Sequence, residues 1–327
     1  MELSIINNQN GVMPQQVPVA TVNNSKFIEA NTTIVGLDEI RNSHIIPVFT
    51  KDNAPLISQA DFITTARELV EQVSGYDSTF PAIRVSHPIK GRTFEARNKK
   101  ASELLEHEKT IYYERLAFIC EIPNIVETVN GQTLSMCFGG VKAYNMDNLN
   151  NRSNGNQHFK FFIGFSVKVC TNLCIWTDGF SHELKVRSLE ELGSSIYDLV
   201  NQYDSTRHLQ MLDKLSDYQL SETEFAILVG KARMYNHLPK DMKKEIPELL
   251  ISDSQISSMT KEYYRDDSFS RNSDGTINLW NMYNLLTGSV KSSYIDSFLD
   301  RNANAFTFTQ GIADALEGNS NYEWFLN

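Results

Sequence analysis

The chain has 327 residues, of which 41% are hydrophobic and 21% charged, so it can bury a core and is not disordered by composition. Its formal net charge of −10 excludes a protein that coats nucleic acid by bulk attraction, because such binding would need a local basic patch. Residues 1–100 carry ten basic and ten acidic residues, against 20 and 30 in the remainder. A basic patch is therefore expected in the N-terminal third.

The cellular location of the protein is predicted from the absence of a membrane-spanning segment and of a signal peptide in its sequence. No run approaches the roughly 18 consecutive apolar residues that cross a bilayer. Residues 1–16 are rich in Asn and Gln and do not have the basic-then-apolar order of a signal peptide. These patterns predict a cytoplasmic protein whose cysteines are reduced thiols. The four cysteines are Cys120, Cys137, Cys170 and Cys174.

The first predicted helix follows a polar N-terminal stretch. Ser58 and Asp61 stand at capping-box spacing ahead of an apolar face with helical periodicity, and Gly75 ends it. A strand is predicted next over Ala82–Val85, and a further helix over residues 103–113.

The middle of the chain is predicted to be rich in strands. These strands cover residues 116–122, 133–138 and 159–175. The dipeptide Asn130-Gly131 separates the first two and favours a two-residue hairpin, because both residues tolerate the positive φ of a type I′ turn. The third strand alternates strictly between apolar and other residues. The Asn-rich stretch 145–157 predicts a surface loop.

The hydrophobic period becomes helical in the last part of the chain. Four helices are predicted there: after Ser188, after Ser221, over residues 279–286 and over residues 309–316. A serine and a glutamate at capping-box spacing mark the start of the first two, and Gly318 closes the last.

Strands followed by helices predict an α+β fold with a mainly antiparallel sheet, flanking helices and a helical C-terminal part. We divide the chain accordingly into a flexible or loosely docked arm (1–35), a sheet-containing domain (36–187) and a mainly helical region packed on it (188–327).

A run of basic residues is the first candidate for a binding surface. Such side chains neutralise phosphates and release counterions, which is the sequence-independent part of nucleic-acid affinity. The run consists of Arg84, His87, Lys90, Arg92, Arg97, Lys99 and Lys100. The alternative is an ordinary solvated face, in which Glu103, Glu106 and Glu108 pair with the basic residues.

The longest predicted strand offers a second candidate surface. An aromatic ring between lysines, as in Lys160, Phe162 and Lys168, is how sheet-based RNA and single-strand binders hold a base and its phosphate. A helix packed over Phe162 explains the pattern equally well. The nucleic-acid hypothesis requires that these lysines and the basic run share one exposed face.

The sequence contains no complete catalytic motif: a phosphate-binding Gly-rich loop, a dinucleotide fingerprint, a nucleophile elbow and a zinc-protease motif are all missing. An enzyme remains an alternative if polar residues near the strand ends converge in one pocket. Those residues are His87, Asn172, Asp178 and His182.

The spacing of Cys170 and Cys174 raises the possibility of a metal site, with His182 downstream. A closed zinc site needs four ligands and no second short pair is present, so buried core thiols are the favoured interpretation. Thr171 and Asn172 between the cysteines favour a turn, in which their side chains bond locally, or else a ligand-facing polar pair at a sheet edge.

Several segments carry a family resemblance. Residues 83–92 (IRVSHPIKGR), 139–145 (GGVKAYN) and 169–174 (VCTNLC) resemble a gut-bacterial family, domain-of-unknown-function family 3871. The VCTN element, whose polar members are Thr171 and Asn172, and residues 279–287 (LWNMYNLLT) are also similar to a phage- and plasmid-borne family, domain-of-unknown-function family 932. The resemblance implies mobile-element ancestry and transfers no catalytic residue.

The leading hypothesis is a non-enzymatic accessory protein of a phage, plasmid or integrated element, without a cofactor, that binds DNA or RNA through a local basic patch. A protein that binds a host or element-encoded protein, or mimics DNA with its acidic surface, is one alternative. An enzyme is the other.

Overall fold

The computed structural model describes residues 27–43, 56–93, 95–147, 156–176, 181–318 and 321–327. The helices are α1 (Leu37–Ser43), α2 (Gln59–Ser74), α3 (Leu189–Gln202), α4 (Ser205–Lys214), α5 (Glu222–His237), α6 (Lys240–Lys243), α7 (Asp253–Glu262), α8 (Leu279–Val290) and α9 (Ile295–Leu316). The strands are β1 (Thr33–Val35), β2 (Ala82–Val85), β3 (Pro88–Arg92), β4 (Lys109–Tyr113), β5 (Arg115–Val129), β6 (Gln132–Ala143), β7 (Gln157–Val167), β8 (Leu173–Cys174), β9 (Ser181–Val186), β10 (Gln219–Leu220) and β11 (Ile277–Asn278).

The predicted α+β class is confirmed. Seven strands form one antiparallel sheet in the order β1-β2-β5-β6-β7-β8, and β9 pairs with the first half of β7. The remaining strands form two small ribbons, β3–β4 and β10–β11. Among the helices of the described residues, none has the length and apolarity needed to cross a membrane.

Helix α2 covers one face of the sheet and begins and ends where the sequence predicts. The Ser58 capping box closes its first turn, and Gly75 ends it in the left-handed region at φ 73°. Its Phe62 ring lies 5.3 Å from the ring of Phe118 and 4.9 Å from that of Phe159. A Cβ atom at Gly140 would lie 2.5 Å from Phe62, so only glycine at that position lets the helix approach the sheet this closely.

The hairpin between β5 and β6 confirms the turn predicted at Asn130-Gly131. Both residues have positive φ, 50° and 75° respectively, as a type I′ turn requires. The Asn130 amide also donates to the carbonyl of Leu212 in α4, at 3.3 Å, so the turn is held from outside the sheet as well.

Helix α9 covers the opposite face of the sheet, and α8 packs on α9 next to the edge strand β8. The hydroxyl of Tyr283 in α8 donates to the carbonyl of Leu173 in β8, at 3.4 Å, and α9 contacts β5, β6, β8 and β9. Phe162, on the sheet face toward α9, is only 1% exposed. The face with Lys160 and Phe162 is therefore an inner surface of the fold.

Helix α4 contributes a histidine to the core. The His208 ring lies 5.8 Å from that of Phe165 and 5.6 Å from that of Phe306, and the Tyr203 hydroxyl is 2.8 Å from its Nδ1. Burial of the ring lowers the pKa of His208 to about 3, so it is neutral at physiological pH.

Three local predictions are wrong. Instead of the helix predicted over residues 103–113, residues 106–108 form a short 3-10 turn and residues 109–113 form strand β4, which pairs with β3. The strand predicted to reach residue 175 ends at Val167, where a turn with Thr171 at φ 55° intervenes before β8. The last helix begins at Ile295 rather than at residue 309.

The three-part division of the chain stays a prediction. Residues 1–26 of the predicted arm lie outside the described residues, as do residues 148–155 of the predicted Asn-rich loop. The described end of the arm is docked: Phe27 and Ile28 are buried, and the amides of Glu29 and Ala30 both donate to the carbonyl of Lys291.

Candidate nucleic-acid interface

The β3–β4 ribbon extends two central strands beyond the sheet. Strands β2 and β5 are paired as far as Val85 and Leu116, and β3 and β4 continue the antiparallel ladder from Pro88 and Tyr113. Tyr113 is buried at the root of the ribbon, where its hydroxyl donates to the Glu39 carboxylate of α1 at 2.6 Å.

One face of this ribbon is exposed and basic. Lys90 lies opposite Ile111 and Arg92 opposite Lys109, and residues directly opposite in an antiparallel pair point to the same face. All four side chains are exposed, Ile111 to 42%. We call these four residues (Lys90, Arg92, Lys109 and Ile111) the basic face.

The other face of the ribbon is covered by the segment that connects its strands. Within that segment Ala96 and Glu108 are buried, and Thr110 on β4 is only 2% exposed. The amide of Thr93 donates to the carbonyl of Glu108 at 2.9 Å. The ribbon therefore has one packed side and one side that faces solvent.

The charge of the ribbon is opposite in sign to that of the protein. Residues 88–113 contain six basic and four acidic side chains, a net charge of +2 in a chain whose total is −10. The sequence-based expectation of a basic patch in the N-terminal third points to this segment.

Carboxylates pair with one lysine of the basic run and with one lysine outside it. Lys99 of the run lies 2.5 Å from Glu108, and Lys109 of β4 lies 2.5 Å from Glu106. Hydrogen bonds from these lysines lower the pKa of both glutamates. The alternative of pairing with neighbouring acids thus applies to Lys99 of the run.

Other basic side chains of the run have no carboxylate partner among the described residues: Lys90, Arg92 and Lys100. Arg92 donates instead to the main-chain carbonyl of Lys99. Arg97 and His87 are exposed as well.

Arg84, predicted in the same run, does not belong to this surface. It is 7% exposed and its Nε donates to the hydroxyl of Thr32 at 2.9 Å, because β2 is an inner strand next to β1. Burial also lowers its pKa.

The candidates on β7 do not join the ribbon surface either. Phe162 is buried under α9 and is not accessible to a base. Lys160 is bound by Asp300 of α9, at 2.7 Å, and its side chain is 12% exposed. Lys168 is exposed, but it follows Lys160 by eight residues, which is about 26 Å along an extended strand. Lys160 is near the end of the sheet from which the ribbon extends, so Lys168 is at the other end.

The proposed enzyme residues are not brought together where the structure describes them. His87 lies two residues beyond Val85, which is in register with Phe159 across the sheet. The main-chain carbonyl of Asn172 instead accepts from the amide of Val167, which is eight residues beyond Phe159 along β7. Asp178 lies outside the described residues, and only the backbone of His182 is described, in β9.

The cysteine pair also lacks the setting of a metal site. No group of three or more His, Cys, Asp or Glu residues able to hold a metal occurs within the described ranges. Burial raises the pKa of Cys170 and of Cys174, which keeps both as neutral thiols.

The polar residues of the VCTN element meet the second motif segment, 112 residues away. The Asn172 amide donates to the carbonyl of Asn284 in α8 at 2.9 Å, and the Lys291 ammonium donates to the carbonyl of Cys170 and to the Thr171 hydroxyl. Asn172 is 3% exposed. We call these five residues the motif junction.

A third motif segment, residues 139–145, is buried as far as Tyr144. Lys142 and Asp147 form an ion pair of 2.6 Å with both side chains fully buried, and the Lys142 ammonium lies 3.9 Å from the centre of the Phe159 ring. Burial lowers the pKa of Lys142 to about 8, even though Asp147 opposes that shift.

Two residues of the basic face were missed by sequence analysis. Lys109 and Ile111 fall in the segment predicted to be helical. The run Lys-Thr-Ile-Tyr-Tyr over β4 is rich in β-branched and aromatic residues, and that strand signal could have found them.

Fold and site together define an α+β protein in which a helix-covered antiparallel sheet presents a one-sided basic ribbon. A family model described as "Domain of unknown function, B. Theta Gene description (DUF3871)" matches residues 7–326. The chain belongs to this family, as its motifs predicted. Comparison with curated proteins and with solved structures finds no match.

Proposed function

We propose that this protein is a non-enzymatic accessory protein that binds nucleic acid on the basic face of the β3–β4 ribbon. One observation carries the proposal. Lys90, Arg92 and Lys109 lie on a single exposed face of a ribbon whose other face is packed, so their charges act in one direction.

The charge balance of the chain supports a local site of this kind. The acidic remainder of the protein repels a polyanion, so binding that depends on the ribbon would hold the nucleic acid at one place and orientation. The exposed pair between Lys109 and Glu106 does not prevent this, because exposed ion pairs are weak and a phosphate can take the place of the carboxylate.

The cellular setting in the proposal rests on resemblance. The similarity of the motif segments to a phage- and plasmid-borne family supports a role on a mobile genetic element, where DNA maintenance or recombination requires nucleic-acid binding. The four cysteines are free, which is typical of the cytoplasm, where such nucleic acid is found.

The test is the binding of short fluorescent DNA and RNA oligonucleotides to the full chain, followed by anisotropy. Three to four phosphate contacts would weaken binding about 100-fold between roughly 50 mM and 200 mM salt. The triple variant Lys90→Glu, Arg92→Glu and Lys109→Glu reverses every cation of the basic face and is expected to abolish binding while its thermal unfolding stays nearly unchanged, because all three side chains are exposed.

The matched control reverses two other exposed lysines and an exposed arginine: Lys240→Glu, Lys244→Glu and Arg265→Glu. It changes the net charge by the same amount in the helical part of the chain and is expected to bind like the wild type. Conversely, Glu106→Gln releases Lys109 and is expected to tighten binding severalfold. Equal loss of binding in both triple variants would mean that binding depends on net charge and not on the ribbon. Unchanged binding in the ribbon variant would refute the proposal.

A further inference from the structure

We infer that the nucleic acid held by the basic face is double-helical DNA read in its major groove, with the Ile111 side chain against a thymine methyl group. This inference rests on the proposed function and narrows it to one ligand class. It is argued from the shape of the ribbon and from Ile111, an exposed apolar side chain directly between its cations.

The dimensions of the ribbon match that groove. The major groove of B-form DNA is about 12 Å wide and admits a two-stranded antiparallel ribbon. Along β3, Lys90 and Arg92 are two residues apart on one face, a rise of about 6.8 Å, which equals two base-pair steps of about 3.4 Å. The spacing of the cations along β3 therefore matches the spacing of the base-pair steps along the groove.

Ile111 occupies the position expected of a residue that contacts a base. It is 42% exposed, it lies opposite Lys90, and its neighbour two residues away on the same strand and face is Lys109. An aliphatic side chain gains no favourable contact from a charged phosphate, whereas the C5-methyl group of thymine presents an apolar surface in the major groove. The cations thus position the ribbon on the DNA, and Ile111 gives it a preference for thymine.

The same composition disfavours other nucleic acids. Single strands are usually held by stacking of their bases on aromatic rings, but the basic face consists of two lysines, an arginine and an isoleucine. Double-helical RNA has a deep, narrow major groove that side chains do not read, and its uracil lacks the methyl group.

The experiment compares four probes with the full chain: a duplex of alternating adenine and thymine, the same duplex with deoxyuridine for thymine, single-stranded oligothymidine, and an RNA duplex of adenine and uracil. The thymine duplex is expected to bind best, at least tenfold more tightly than the single strand and the RNA. Loss of the methyl groups is expected to weaken binding about threefold to fourfold, the effect of one buried methyl-sized group.

The matched variant is Ile111→Ala, which keeps every cation of the basic face. It is expected to bind the thymine and deoxyuridine duplexes equally and to retain the salt dependence of the wild type. A thymine preference that survives in Ile111→Ala, or equal binding of all four probes by the wild type, overturns this inference and leaves the proposed function standing. If none of the four probes binds, both this inference and the proposed function are overturned.

Discussion

The motif junction and the basic face both include residues of the segments that carry the family resemblance, yet those residues are buried or half-buried at the junction and exposed on the ribbon. At the junction Asn172 and Lys291 are buried and bonded to main-chain carbonyls more than a hundred residues away. On the ribbon the side chains of Lys90 and Arg92 are exposed, and neither pairs with a carboxylate among the described residues. The comparison teaches that a shared motif has two causes, and that only exposed polar residues without a structural task point to a partner.

The largest effect on stability is expected at the buried ion pair of the third motif segment. Lys142→Met leaves the Asp147 carboxylate buried without its counter-ion, which is expected to lower the free energy of unfolding by about 3–5 kcal/mol. Urea denaturation measures this change. The double variant with Asp147→Asn removes both charges and is expected to recover part of the loss; a single variant as stable as the wild type would contradict a structural role for the pair.

Acid is expected to lower the stability of the buried core through His208. His208 has a pKa of about 3 when folded and an ordinary value near 6.5 when unfolded, so the unfolded chain binds more protons between these values. The free energy of unfolding therefore falls as the pH drops below about 6.5, by about 2 kcal/mol at pH 5 from this group alone.

The variant His208→Phe keeps an aromatic ring next to Phe165 and Phe306 and removes the titration. Its stability is expected to fall less steeply between pH 6.5 and pH 5 than that of the wild type, in urea titrations at matched pH values. Identical slopes would show that the acid response comes from other groups.

The motif junction itself is expected to give a moderate effect. Asn172→Ala removes the donor to the Asn284 carbonyl, at a cost of about 1–2 kcal/mol in unfolding free energy. The Thr287 hydroxyl also donates to that carbonyl, at 3.2 Å, which keeps the cost at the low end. Asn201→Ala, at an exposed position, serves as the control, and equal effects of the two would remove the distinction between motif and surface.

The smallest effect on stability is expected on the ribbon. Lys90→Ala and Arg92→Ala each remove an exposed side chain without a carboxylate partner among the described residues, so the free energy of unfolding should change by less than about 0.5 kcal/mol. Thermal and urea unfolding measure this. A cost of several kcal/mol would mean that the ribbon, too, serves the fold.

Local signals in the sequence were reliable where neighbouring residues decide the structure. The Ser58 capping box, the Gly75 stop and the Asn130-Gly131 turn were all predicted, because caps and turns are set within a few residues. The alternation along β7 likewise predicted a strand, although not which of its faces would be covered.

Distant partners explain what the sequence did not predict. The cover over Phe162 comes from α9, and the carboxylate on Lys160 comes from Asp300, 140 residues further along the chain. Strand β4 was predicted to be a helix because its glutamate- and leucine-rich approach favours helices, whereas pairing with β3 decides its state. The exposed half of the basic run was visible in the sequence, and its arrangement on one face was not.

The bond from the Glu29 and Ala30 amides to the Lys291 carbonyl ties an N-terminal segment to the turn between α8 and α9. These two amide protons can exchange with deuterium only when that contact opens. They are thus native probes of the helical cover on the sheet: their exchange rates would report its opening without any label placed in α8 or α9.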